Sequence, residues 1–146
     1  MDKREEARRF LINNYLASVA TISPEGEPQA AVVLYYSDDN FNIYIVTRGH
    51  TRKAINLQND KKVGIAIGND RFPGTIQLQG VADSMPEYMQ KFVEKIGERS
   101  DLNDAYSGPF LKVKGIDFMA FRIQPTWLRY TSLNPETGLE EQIQII

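Results

Sequence analysis

Three short runs of apolar and β-branched residues, each closed by turn chemistry, follow one another in the first third of this chain. That cadence restricts the fold more than any other feature. Residues 17–22 (Ala-Ser-Val-Ala-Thr-Ile) are small and β-branched, suited to a tightly packed strand. Ser23-Pro24-Glu25-Gly26-Glu27 follows as a turn, with Pro24 fixing its entry and Gly26 able to take positive φ. A second strand is predicted over about 28–36, a turn at Ser37-Asp38-Asp39-Asn40, and a third strand over about 41–47. Connections this short join antiparallel neighbours, so the start of the chain reads as a meander. Along the third strand Phe41, Ile43, Ile45 and Thr47 share one face, and Asn42, Tyr44, Val46 and Arg48 the other.

The rest of the chain extends this pattern. Residues 3–16 carry Ala7, Phe10, Leu11 and Tyr15 at helical spacing. A helix capped by Thr51 follows the third strand, with Ala54, Ile55 and Leu57 expected on its buried side. Residues 63–68 form a fourth strand whose glycines mark a bend or a close backbone approach. A fifth covers about 74–83, with Thr75, Gln77 and Gln79 facing one way and Ile76, Leu78 and Gly80 the other. Residues 86–98 form a helix with Tyr88, Met89, Phe92, Val93 and Ile96 as core, and 99–115, broken by Gly108-Pro109, a loop. A last long strand covers about 117–130, with Pro125 at an edge or bulge, then a turn-rich 131–138 and a short terminal strand over 142–146. The expectation is one domain over residues 1–146, mainly β, with about six antiparallel strands closed into a small barrel and flanking helices.

Composition removes several functions. With 146 residues, no cysteine and one histidine, the chain has no disulfide, thiolate nucleophile, cysteine-ligated metal or multi-histidine site. A net charge of -2 argues against a nucleic-acid partner. No apolar run spans a bilayer and Met1 to Glu6 lacks a signal-peptide core, so a cytoplasmic protein without a membrane partner is expected.

One local feature conflicts with its surroundings. Arg48, His50, Arg52 and Lys53 crowd the start of the second helix, and no acid lies between Asn40 and Asp60. A helix N-terminus carries partial positive charge, so cations there are mildly unfavourable. A bound anion, most simply a phosphate, resolves the conflict. A solvated basic loop costing a few tenths of a kcal/mol accounts for it equally well. The residues alone leave both open.

Taken together, Leu16 to Ile22, Gly26-Glu27-Pro28, the strand Ala31 to Tyr36, Thr47, the loop-to-helix Thr51-Arg52-Lys53-Ala54 and Asn59 to Ile67 resemble the FMN-binding split-barrel superfamily of pyridoxamine 5′-phosphate oxidase-like proteins. The resemblance covers roughly residues 8–83. It implies a six-stranded antiparallel split β-barrel and a homodimer with two FMN sites at the subunit interface. It places Ala31, Val32, Val33 and Leu34 along the flavin, partly through main-chain groups, and Thr47 at the ring or ribityl chain. Arg52 and Lys53 would hold the phosphate, with Thr51 nearby. Gln77 stands in for a family glutamine whose own position falls at Thr75, and Trp127 would flank the ring. True pyridoxamine phosphate oxidases carry a basic residue and a lysine where this chain has Ala31 and Tyr36, so a vitamin phosphate is not the expected substrate.

The implied function is a small FMN-dependent oxidoreductase acting on a soluble organic substrate with a nicotinamide donor. The alternatives are a non-enzymatic flavin-binding or flavin-sensing protein, and a deazaflavin-dependent reductase on the same fold. No side chain is assigned as catalytic: His50 reads as a neighbour of the phosphate loop, and the cofactor would carry the redox chemistry.

Overall fold

A computed structural model describes residues 2–68, 74–98 and 117–146. Helix α1 (Lys3–Asn13) opens on Asp2, whose carboxylate accepts from the Glu5 N–H at 2.7 Å, and buries Ala7, Phe10 and Leu11. It ends three residues before the predicted boundary, because Asn14 is extended and its Nδ2 donates to the Phe10 carbonyl at 2.8 Å. Strands β1 (Leu16–Ile22), β2 (Pro28–Ser37) and β3 (Ile43–Arg48) form the predicted meander. Helix α2 (Arg52–Asn59) leads to β4 (Lys62–Gly68) and β5 (Gly74–Ser84). After α3 (Tyr88–Gly97) come the long β6 (Phe118–Leu133) and β7 (Glu140–Gln144). The loop expected over 99–115 lies outside the described residues.

The strands run in the order β3-β2-β1-β4-β5-β6, and a β3–β6 pairing closes them into a six-stranded antiparallel barrel, with three helices among the described residues. Strand β7 adds to the edge of β6 beyond the point where β3 ends, pairing over Arg129–Leu133. It lies slightly earlier than the predicted terminal strand. Serving three partners requires β6 to turn, and Pro125 sits where it does. Gln79 pairs with Trp127 but Gly80 pairs with Pro125, so Thr126 is the extra residue of a bulge. A Cβ on Gly80 would stand 2.7 Å from the Gln124 carbonyl oxygen, which explains the glycine.

Inward-facing residues of successive strands, among them Val19, Val33, Ile45, Ile65, Leu78 and Ile123, fill the barrel, and α1 covers one side of it. A second cluster forms where Phe92 and Ile96 of α3 cover Tyr44 and Val46. Strand β3 is therefore buried on both faces. On β5 the predicted alternation holds, with Gln77 and Gln79 exposed and Ile76 and Leu78 buried.

The barrel is not zipped throughout. Strand β2 pairs with β1 over Pro28–Leu34, but with β3 only over Tyr35–Ser37. Beyond Tyr35 the two strands diverge, so the edge of β2 from Pro28 to Leu34 faces no described strand. Helix α2 starts beside that split. Among the described residues no helix is long and apolar enough to cross a membrane.

Candidate functional site

The split and the start of α2 enclose a cavity of about 330 Å3, lined by Val19, Thr21, Gln29, Ala30, Ala31, Arg52 and Lys53. Its construction begins with Thr51. The Thr51 hydroxyl donates to the Arg48 carbonyl at 2.9 Å and accepts from the Ala54 N–H at 3.3 Å. It also lies 2.9 Å from Thr47 Oγ1. With its single proton committed to Arg48, Thr51 must be the acceptor in that contact, and Thr47 the donor. Thr47 is thus held in place; it is 5% exposed and is not among the residues that line the cavity.

Arg52 is exposed and Lys53 half-buried, and among the described residues neither has a carboxylate within ion-pairing distance. Burial pushes the Lys53 ammonium below its usual value, since desolvation disfavours the charged form and no acid compensates. Asp117 lies beside this loop at Gly49, whose N–H donates to the Asp117 main-chain carbonyl at 2.8 Å. An anion at the corner would meet two cations and the first N–H groups of α2.

Three polar residues of this corner escaped the sequence reading. Asn56 is buried and its Nδ2 donates to Thr21 Oγ1 at 2.9 Å and to Gln29 Oε1 at 2.8 Å. Those bonds tie α2 to β1 and β2. They also use Gln29's oxygen, which leaves its NH2 group as a donor on a residue that lines the cavity. The expected burial of Ile55 is corrected: it is 49% exposed, and Asn56 takes the inward position. Asn is a poor helix former, and that penalty in an eight-residue helix was the available signal.

Of the four β2 residues, Ala31 lines the cavity, Val33 points into the barrel, Leu34 is half-buried, and Val32 is 68% exposed. Their common property is the unpaired main-chain edge.

Gln77 and Trp127 lie elsewhere. On the outer sheet face two cross-strand rows run Val32, Ser18, Ala66, Gln77, Arg129 and Ala30, Ala20, Gly64, Gln79, Trp127. Two strands separate β2 from β5, so Gln77 stands about 14 Å from β2, three strand spacings. One chain does not bring Gln77 and Trp127 to the Arg52–Lys53 corner. Gln77 Oε1 accepts from Arg129 Nη2 at 2.8 Å, and the Arg129 guanidinium lies 5.5 Å from the centre of the Trp127 ring. Arg129 Nε is buried without a hydrogen-bond partner.

The sequence model of the pyridoxamine 5′-phosphate oxidase family matches residues 4–132. The chain belongs to this family. Among solved structures it is similar to the conserved hypothetical protein Rv2991 from Mycobacterium tuberculosis, at 23% identity and a TM-score of 0.71, covering 89% of this chain and 84% of that one. It is also similar to HutZ, the haem storage protein from Vibrio cholerae, at 21% identity and a TM-score of 0.68, covering 88% and 94%. An F420 reductase aligns at 19% identity and a TM-score of 0.65, covering 83% and 94%. At such identities these likenesses establish the fold. No curated protein matches the chain. The fold thus carries more than one function among its members.

Proposed function

We propose that this protein is an FMN-binding flavoprotein, and that it acts as a small FMN-dependent oxidoreductase on a soluble organic substrate. The observation that carries the reading is the pairing of two uncompensated cations at the start of α2 with the unpaired edge of β2 beside them. The residues fit the group. Arg52, Lys53 and the N–H groups of α2 would hold the phosphate, with Gln29 as a further donor. The main chain of Ala31 to Leu34 would line the flavin. FMN supplies two-electron chemistry when bound, while the protein orients it and excludes water.

The same reading makes the protein a homodimer. Gln77 stands about 14 Å from β2 of its own chain, and Trp127 and Arg129 one strand further on. Ser18, Ala20, Ala30, Gly64 and Ala66 give the outer face between the two groups small side chains that permit close approach. The orphaned Arg129 Nε lies on that face. A second copy would bring its Gln77–Trp127–Arg129 group to the first copy's corner.

Tyr36 and Ala31 stand where a vitamin-phosphate oxidase would carry cations, so pyridoxamine phosphate is not the proposed substrate. A rival reading is a flavin-binding protein without turnover; among the described residues no carboxylate or imidazole lines the corner. A deazaflavin reductase is separated from both by its cofactor's absorbance. The test is titration of the protein with FMN, followed by flavin fluorescence and visible absorbance. One FMN per subunit is expected, and no binding would reject the proposal. Anaerobic bleaching of the bound flavin by NADH or NADPH is expected of the enzyme. Failure of both donors would favour the binding protein.

A further inference from the structure

Lys53 carries an amine whose reactivity the proposed flavin site leaves unused. Its side chain is half-buried against the wall of the corner cavity, and among the described residues no carboxylate lies within ion-pairing distance of it. The other described lysines stand differently. Lys3 is held between Glu6 and Glu141, each at 3.0 Å, and Lys61 lies 3.2 Å from Asp83. Lys62 is 3.8 Å from Asp60 and Lys95 3.6 Å from Glu98. Lys91 lies over the Tyr88 ring, 5.8 Å from its centre. An acid partner keeps the proton on an amine, whereas burial without one favours its release. Burial does lower the Lys53 ammonium below its usual value. Only the neutral amine is a nucleophile.

The surroundings of that amine select the electrophile. Arg52 lines the same cavity without an acid partner among the described residues, and the Gln29 amide adds N–H donors, its oxygen being taken by Asn56. These groups suit an oxyanion. Val19, Ala30 and Ala31 supply small apolar walls, which leave room for a short carbon chain and offer it no side-chain hydrogen bond. Among the described residues the lining holds no carboxylate, imidazole or thiol, so Lys53 is its strongest nucleophile.

We propose that Lys53 is an acylation site, modified by small acyl phosphates that the corner recognises through their phosphate. The Lys53 nitrogen attacks the acyl carbon, and the carbon–oxygen bond to the phosphate breaks. The phosphate leaves with that electron pair and takes up the amine proton. Nothing is oxidised or reduced, and an uncharged amide replaces the amine. The consequence for FMN rests on the flavin site proposed above: acylation removes one of its two cations, and bound FMN shields Lys53.

The probe is acetyl phosphate with the ligand-free full chain, read by peptide mass spectrometry as the acetylated fraction at each lysine over time. Acetic anhydride, which carries no phosphate, is the control. Acetyl phosphate is expected to modify Lys53 at least about fivefold faster than Lys61 and Lys62, and inorganic phosphate to slow it. Arg52→Ala should slow acetylation of Lys53 by acetyl phosphate about fivefold, and leave its reaction with the anhydride within about twofold. Arg52 is exposed, so this variant should melt with the parent protein. Lys53 reacting no faster than Lys61 and Lys62 would overturn the proposal. So would equal slowing of both reagents in folded Arg52→Ala, or no protection by phosphate. Added FMN should also protect Lys53; selective, phosphate-sensitive acetylation that FMN leaves untouched would uphold the acylation site and count against the flavin site instead.

Discussion

Lys53 shows how a residue proposed to hold a phosphate can burden the protein that carries it. It is half-buried, without an acid partner, and its ammonium is depressed by burial. The sign of the stability effect follows from linkage. A lysine whose folded value lies below its unfolded value leaves the unfolded chain holding more protons between the two, so stability rises with pH across that window. The window runs from the depressed value up to the ordinary 10.5. Lys53→Met should therefore stabilise the ligand-free protein at neutral pH, with the advantage shrinking as pH rises towards 10.5. Urea denaturation of both proteins at several pH values checks this, and a pH-independent difference would show that Lys53 carries no such cost. The sequence exposed the conflict at this helix start, but could not separate a bound anion from a solvated loop. What favours the anion is the half-burial of Lys53 and, among the described residues, the lack of a carboxylate partner, both of which depend on strands far away in the chain.

At the scale of elements, α2 is the piece that most depends on its contacts. Eight residues are too few for a stable isolated helix, so its position rests on the Thr51 cap, packing of Ala54 and Leu57, and the Asn56 bonds to β1 and β2. Asn56→Ala would strand Gln29 Oε1 and Thr21 Oγ1 at a cost of about 1–3 kcal/mol, and should weaken FMN by loosening the wall that carries Arg52 and Lys53. Equilibrium denaturation and FMN titration together test it; full stability with full affinity would contradict the role. The strands around α2 were legible because their turns are local signals, including the bulge at Pro125. Asn56 was not, since inward and outward positions on a short helix are decided by what packs on it. Ile55 was the more apolar choice, and the barrel selected its neighbour.

For the whole molecule, the resemblance read from residues 8–83 carried the closed, split topology, and the coordinates bear it out. The distribution of the site across the sheet was not legible. Gln77 and Trp127 joined the same prediction as Arg52 and Lys53, yet β1 and β4 separate them in one chain. If two copies complete the site, the small outer face between the groups is the interface. Val32→Arg should then convert a dimer into a monomer by light scattering, and weaken FMN although every residue of the corner is intact. A monomeric parent protein that binds FMN one to one would reject the dimeric site while sparing the corner.

The proposed FMN site rests on Arg52 and Lys53 reading a phosphate. FMN and riboflavin differ in that phosphate, so the most direct measurement is the ratio of their affinities for the parent protein and for Arg52→Ala/Lys53→Ala. Charge-assisted contacts of this kind are worth very roughly 1.5–3 kcal/mol each. Strong preference for FMN is expected in the parent, with loss of more than about tenfold in FMN affinity in the variant and riboflavin nearly unchanged. Equal losses for both ligands, or no preference in the parent, would contradict it.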